Sequence, residues 1–158
     1  MQKITPFLLF DGNAEEALQL YTSVFKDEAR ILSESRYGQH GPMPEGTLMS
    51  ATFSLYGHEY IVFNGGPKVA FSDAISLMVL CDSQAEIDSY WDRLSDGGKE
   101  MPCGWLRDRF GLTWQIVPRG LDKMLMDPNP AKAGATMQAM LKMSKMDMAE
   151  LQNAYNNA

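Results

Sequence analysis

The sequence predicts an α+β fold made of two copies of one unit, in which a strand and a helix precede about three further strands. Two observations support this prediction. Mostly apolar runs at residues 4–10 and 74–81 are each followed by a short polar turn and a helical pattern. The apolar faces of the two helices also repeat at a spacing of 70 residues; they are Ala17, Leu20, Tyr21 and Val24, then Ile87, Tyr90, Trp91 and Leu94.

Both helices have sequence signals for their first turn. Asn13 and Ser83 lie at the N-cap positions, where a side-chain oxygen can accept a hydrogen bond from a free backbone N–H. Acidic residues follow each of them in the first turn, where the helix dipole favours negative charge. We therefore expect the two units to open in the same way.

The remaining strands follow from alternation and turn residues. In the first unit, strands are predicted at 30–36, 47–56 and 59–64, with a Gly/Pro-rich loop at 37–46. In the second, residues 103–107 and 112–117 are predicted to be extended, and residues 64–67 (Asn-Gly-Gly-Pro) are the predicted link. The expected organisation is a single domain over 1–158, with module one at 1–66, module two at 67–119 and a helical tail at 120–158.

Two helices are predicted in the tail, at residues 131–145 and 147–155, after a segment that contains Pro128 and Pro130. Its apolar stripe is rich in methionine and consists of Met137, Met140, Leu141, Met143, Met146 and Met148. Such a stripe is typical of core or subunit-interface packing rather than of a ligand site. Because open sheet edges also need cover, we expect a homodimer.

Composition excludes several classes of protein. Fourteen Lys and Arg against 20 Asp and Glu give a net charge of -6, which disfavours binding to nucleic acid or to anionic lipid. No apolar run approaches the roughly 20 residues of a membrane span, and the first residues do not resemble a signal peptide. Two cysteines without CxxC spacing indicate a reducing compartment. We expect a soluble cytoplasmic protein.

Three phrases carry a resemblance to a known superfamily: FDGNAEEALQLYTSVF (10–25), AISLMVLCDSQAEIDSYWDRLSDGG (74–98) and CGWLRDRFGLTWQIVP (103–118). With the two βαβββ units, they resemble the vicinal-oxygen-chelate superfamily of glyoxalase I, extradiol dioxygenases and bleomycin-resistance proteins. The closer resemblance is to its PhnB-like branch, often labelled 3-demethylubiquinone-9 3-methyltransferase-like, and residues 137–155 also resemble that branch. The resemblance implies two modules that form a half-open β-barrel around a cavity.

The resemblance also implies four positions for a divalent metal, two in each module. In this chain they correspond to Pro6, Ile61, Ser76 and Gln115. Proline and isoleucine side chains donate nothing, and two neutral oxygens leave a dication uncompensated. The only histidines, His40 and His58, lie in predicted loops or turns. We therefore predict no metal and no cofactor.

The same correspondence predicts which residues line the cavity. They are Leu8, Ile61, Phe63, Ser76, Met78, Thr113 and Gln115, a mostly apolar set with a few neutral polar groups. This composition fits either a small-molecule pocket or a filled core. A second candidate group contains Cys103, Arg107 and Arg109, as a reactive thiol or an anion clamp; a packed thiol and a solvated turn are the alternatives.

Three functions follow as hypotheses. The first is a metal-independent protein that binds a small apolar or aromatic molecule. The second is an enzyme, either a glyoxalase- or dioxygenase-type lyase or the methyltransferase that the branch is named after. A methyl donor is normally held by a glycine-rich turn, and the corresponding turn here, Asp11-Gly12-Asn13, has one glycine. The third is an assembly protein with a filled barrel. Whether the protein is an enzyme is left open by the sequence.

Overall fold

The computed structural model describes residues 2–66 and 68–158. Pro67, part of the predicted link, lies outside the described residues. By its contacts the chain divides into two compact units, Met1–Ala70 and Phe71–Ala158. Among the described helices, none has the length and apolar character that a membrane crossing requires.

The first unit has one strand, one helix and three further strands. They are β1 (Phe7–Phe10), α1 (Ala14–Phe25), β2 (Ala29–Arg36), β3 (Leu48–Leu55) and β4 (His58–Asn64), with a short 3-10 helix after α1. The strand order in the sheet is β1-β4-β3-β2. The first and last strands pair in parallel and the others pair antiparallel, so the sheet is mixed.

The second unit repeats this order and adds the tail. Its elements are β5 (Ser76–Cys81), α2 (Gln84–Ser95), β6 (Lys99–Glu100), β7 (Trp105–Arg107) and β8 (Thr113–Pro118). The sheet order is β5-β8-β7-β6, again with parallel pairing of the first and last strands. The tail forms α3 (Leu121–Leu125), α4 (Pro130–Met140) and α5 (Met148–Asn156). The predicted α+β class with two βαβββ modules is therefore confirmed.

Each sheet buries one face against its own helix. In α1 the predicted Ala17, Tyr21 and Val24 are buried, and in α2 Ile87, Trp91 and Leu94 are at most 1% exposed. The other two predicted stripe residues, Leu20 and Tyr90, are only partly buried. These residues share one side of a 3.6-residue period, which explains why both helices form and how they orient. The opposite face of each sheet is left for other contacts.

The second helix begins as predicted, but the first does not. The Ser83 side chain accepts a hydrogen bond from the Glu86 N–H, as expected for an N-cap. Asn13 makes no such bond. Instead, Asn64 at the end of β4 accepts the Ala14 N–H at 2.9 Å from 50 residues away. The prediction of Asn13 as a capping side chain is therefore wrong.

Candidate functional site

The open face of the second sheet carries large apolar side chains. Because strand residues alternate between faces, Met78 and Leu80 lie on this face, and they are 56% and 46% exposed. Met78 pairs in register with Gln115 on β8, and Gln115 pairs with Trp105 on β7. Trp114 lies on the opposite, buried face and is 1% exposed, so it does not share a surface with Gln115.

A pocket of about 630 Å³ lies on this face, which we call the second-module pocket. The strands and the loop before β7 contribute Met78, Leu80, Cys103, Trp105, Gln115 and Val117, and the tail contributes Leu121, Lys123, Leu125 and Met140 among others. Apolar side chains dominate this lining. Its volume lies within the range of pockets that bind small molecules, roughly 300–1,000 Å³.

The tail reaches the pocket because backbone hydrogen bonds hold it against the β7 end of the sheet. The N–H groups of Cys103 and Gly104 donate to the carbonyl oxygens of Met143 and Ser144, both at 2.8 Å. Met143 and Met146 are buried within the same unit, so this half of the methionine stripe is core. A Cβ on Gly104 would lie 2.7 Å from the Ile116 carbonyl oxygen, which explains the glycine there.

One amide is fixed in the pocket wall. The Gln115 Nε2 donates to the Ser76 hydroxyl at 2.8 Å. The family resemblance put both residues at metal-ligand positions, and the structure joins them by a hydrogen bond. Thr113, on the same face, uses its hydroxyl elsewhere, because it donates to Asp73 at 2.7 Å. Of the predicted cavity residues, Met78 and Gln115 line the pocket, and Cys103 from the second candidate group also lines it.

The predicted anion clamp is occupied by internal contacts. Arg107 is paired with the Asp73 carboxylate, and this hydrogen-bonded guanidinium, followed by the Thr113 hydroxyl, lowers the pKa of Asp73 to about 2. Arg109 lies over the Phe110 ring, with its guanidinium carbon 5.2 Å from the ring centre. The two guanidinium groups have separate partners within the protein and do not form one anion-binding site. The prediction of an anion clamp is therefore corrected.

Asp108, between the two arginines, is not a solvated turn residue. It is 2% exposed, and its carboxylate accepts hydrogen bonds from the Phe110 and Leu112 N–H groups and from the Trp114 indole. A buried carboxylate requires such partners. Asp108 therefore organises the β7–β8 turn and fixes Trp114.

The two cysteines have different environments. Cys81 is fully buried on the helix face of β5, and burial, reinforced by Glu86 and Asp82, raises the pKa of its thiol to about 12. Cys103 lies at the pocket wall in a left-handed backbone conformation with φ 62°. Its thiol lies 3.7 Å from the Met140 carbonyl oxygen, so Cys103 connects the pocket wall to the tail.

In the first unit one predicted cavity residue points the other way. Leu8 pairs with Val62 and is 7% exposed, on the buried face of the sheet. Ile61 and Phe63 pair with Phe7 and Leu9 on the opposite face. Leu8 cannot share a surface with Ile61 and Phe63, and its assignment to the cavity is corrected.

The cause is one extra residue before the first helix. Three residues separate β1 from α1, but only two separate β5 from α2. The helices therefore repeat at 70 residues and the strands at 71, and a shift of one residue turns a strand over. The first-module counterpart of Met78 is consequently Phe7, and that of Ser76 is Thr5 rather than Pro6.

The residues at the superfamily's metal positions do not fit a divalent ion. With the corrected register they are Thr5, Ile61, Ser76 and Gln115, which bring no charge and no imidazole or thiolate. Ser76 and Gln115 are already hydrogen-bonded to each other. Within residues 2–66 and 68–158, no group of three or more His, Cys, Asp or Glu side chains could hold a metal.

Sequence reasoning missed part of the lining. Leu80 and Val117 were available from strand alternation, because each lies two residues beyond a predicted pocket residue. Leu121, Leu125 and Met140 had no such signal, since only the folding of the tail onto the sheet brings them there.

Comparisons with known proteins agree with this architecture. Residues 2–117 match the family model described as 3-demethylubiquinone-9 3-methyltransferase. A putative 3-demethylubiquinone-9 3-methyltransferase, PhnB protein, from Bacillus cereus is 41% identical, with a TM-score of 0.69, over 74% of this chain and 99% of that one. No curated protein matches the chain.

More distant structures share the fold alone. A protein from Pseudomonas aeruginosa is 23% identical with a TM-score of 0.61, over 75% of this chain and 98% of that one. The fosfomycin resistance protein FosX from Listeria monocytogenes is 12% identical with a TM-score of 0.54, over 77% and 94%. The family match and the Bacillus cereus relative show that this chain belongs to the 3-demethylubiquinone-9 3-methyltransferase family, the PhnB-like branch of the vicinal-oxygen-chelate superfamily.

Proposed function

We propose that this protein binds a small, largely apolar molecule in the second-module pocket, without a metal. The observation that carries the proposal is the pocket itself, about 630 Å³ in volume and lined mainly by apolar side chains. Burial of apolar ligand surface provides the driving force, about 25 cal/mol per Å². Gln115, held by Ser76, supplies a fixed polar group in the wall.

The tail supports this proposal because it makes the open sheet face concave. Leu121, Leu125 and Met140 of the tail line the pocket together with Leu80 and Trp105 of the sheet. The match to the family model covers residues 2–117, so these tail residues lie outside the matched part of the chain. We therefore propose that ligand selection in this chain depends on the tail as well as on the sheet.

A direct test uses the neutral fluorescent probe 1-aminoanthracene and a variant that fills the pocket. We expect the wild-type protein to bind the probe with enhanced fluorescence, and Leu80→Trp to weaken binding at least tenfold by occupying the pocket. Leu141→Trp is the matched control, because Leu141 is similarly exposed (55% against 46%) and lies outside the pocket lining. Dialysis against EDTA should leave binding unchanged.

Two results would count against the proposal. Equal affinity in wild-type protein and Leu80→Trp would place probe binding elsewhere. Loss of binding after EDTA treatment, with recovery on adding Mn²⁺, Ni²⁺ or Zn²⁺, would show that the metal-free part of the proposal is wrong.

The methyl transfer in the family description is not part of this proposal. A methyl donor is typically held at a glycine-rich turn of a parallel, doubly wound sheet. Here the β1–α1 turn has one glycine, Gly12, and both sheets are mixed with the order first-fourth-third-second. The pocket lies on the sheet face rather than at that turn.

We also propose that the chain forms a homodimer. Strand β2 is an edge strand, and its Ile31 and Leu32 are about half exposed. An edge strand with exposed apolar side chains favours pairing with a second copy. Light scattering should give about twice 17.7 kDa; a monomer at micromolar concentration would contradict the proposal.

The two free cysteines support a reducing, cytoplasmic location.

A further inference from the structure

The three tryptophans have different hydrogen-bonding situations. Trp91 and Trp114 are 1% exposed, and their indole N–H groups donate to Glu100 at 3.0 Å and to Asp108 at 2.9 Å. Trp105 is only partly buried and lines the second-module pocket. Within residues 2–66 and 68–158 its indole N–H has no acceptor. Trp105 therefore offers a hydrogen-bond donor to whatever enters the pocket.

Gln115 offers the complementary acceptor. Its Nε2 donates to the Ser76 hydroxyl at 2.8 Å, which fixes the orientation of the amide. Among the described residues, no donor reaches its Oε1. Trp105 and Gln115 are register partners on neighbouring antiparallel strands and share the pocket face, where such partners stand about 5 Å apart at Cβ. Neighbouring positions of a mainly apolar wall thus carry a side chain with a hydrogen-bond donor and a side chain with an acceptor.

The pocket rim does not select a charged ligand. Arg119 is paired with Asp82, with its Nε 2.5 Å from the Asp82 carboxylate. The lining also contains one acidic and one basic residue, Asp122 and Lys123. The pocket therefore has no excess of unpaired charge of either sign. A ligand ion would have to leave water for a mainly apolar pocket that carries no excess of the opposite charge, which is unfavourable.

From these observations we infer that the ligand is a flat, uncharged, apolar molecule that carries a hydroxyl group. A hydroxyl oxygen can accept from the Trp105 indole N–H and donate to the Gln115 Oε1 at the same time. The flat body packs against the indole ring and against the Leu80 and Met140 side chains. This inference rests on the proposed function and adds the class of ligand to it.

The test compares 2-naphthol with naphthalene, which has the same flat body without the hydroxyl. We expect 2-naphthol to bind about 2- to 12-fold more tightly for each hydrogen bond made. In ¹H–¹⁵N spectra the Trp105 indole signal should shift on adding 2-naphthol, and the signals of the buried Trp91 and Trp114 should stay in place. Those two signals also show that each variant is folded.

Two conservative variants separate the contributions. Trp105→Phe keeps an aromatic face but removes the N–H, and Gln115→Met keeps the length but removes the acceptor. Each should reduce the preference for 2-naphthol and leave naphthalene binding within about twofold.

The outcomes distinguish this inference from the proposed function. Equal affinity for 2-naphthol and naphthalene, with both blocked by Leu80→Trp, would overturn the hydroxyl inference and leave the pocket as a binding site. A preference that persists in both variants would also overturn it. Failure of both compounds to shift the Trp105 signal would overturn the inference and the proposed function together.

Discussion

The two modules share their buried side but differ on the open face of the sheet. In module one the open face carries Phe7 and Phe63, whose rings lie 5.6 Å apart, beside Ile61. In module two the positions that correspond to Phe7, Ile61 and Phe63 hold Met78, Gln115 and Val117, and the tail completes a pocket over them. The repeat therefore preserves the apolar character of the helix positions that pack on the sheets, although the residues themselves differ, as at Ala17 and Ile87. The open faces carry different chemistry.

The modules also differ in how their helices start. Module two uses a local cap, Ser83, three residues before the N–H that it satisfies. Module one uses Asn64, which accepts the Ala14 N–H and donates to the Leu48 carbonyl oxygen, both at 2.9 Å. In module one the start of the helix is thus bonded to the last strand of the sheet, whereas in module two it is capped by the residue directly before the helix.

The largest effect should come from the end of the second helix. Module one leaves α1 through Lys26, with φ 46°, whereas module two leaves α2 through Gly97 and Gly98. A Cβ on Gly98 would collide with the Arg107 carbonyl oxygen, a backbone atom that cannot rotate away. We expect Gly98→Ala to lower the free energy of unfolding by at least about 3 kcal/mol, measured by urea denaturation.

The control is a glycine with free space around it. Gly134 lies within α4 and a Cβ there meets no atom within 4 Å. Gly134→Ala should raise stability by about 0.5–1 kcal/mol. A similar loss in both variants would show that the close approach at Gly98 is not the cause.

The helix starts provide the next comparison. Asn64→Ala leaves two buried backbone groups without partners, and we expect a loss of about 3 kcal/mol in the free energy of unfolding. Ser83→Ala removes one exposed cap bond and should cost about 1 kcal/mol. Both are measured by urea denaturation. Equal losses would contradict the view that module one depends more on a long-range contact.

The smallest effect concerns acid stability. The Arg107 and Thr113 hydrogen bonds lower the pKa of Asp73 from 3.8 to about 2, so its contribution is complete above about pH 4 and is lost as the pH falls towards 2. Asp73→Asn should therefore reduce the loss of stability between pH 5 and pH 3, judged by the urea midpoint.

The matched variant in module one is Glu15→Gln. The Arg36 hydrogen bond lowers the pKa of Glu15 in the same direction, and the exposed position of the pair keeps the effect small. An unchanged pH dependence in Asp73→Asn would show that the Asp73 ion pair does not contribute to stability in the native protein.

The sequence predicted most elements because their signals are local. The periods of 3.6 and 2 residues located α1, α2 and most of the strands. The β3–β4 turn was predicted at Gly57-His58 but lies one residue earlier, at Tyr56 and Gly57 with φ 49° and 77°, and His58 begins β4. Strand β6, with two residues, and α3, with five, were missed because such short elements carry no readable period. The face of β1 was misassigned because the helix spacing was applied to a strand.

The sequence by itself determined the two βαβββ modules and most of the buried helix faces, since both depend on residue identity and near neighbours. Only the tertiary structure decided the remaining features: the Asn64 cap, the Asp73–Arg107 pair and the pocket wall supplied by the tail. Each joins residues distant in sequence, and such contacts form only when the chain folds back on itself, which no local pattern encodes.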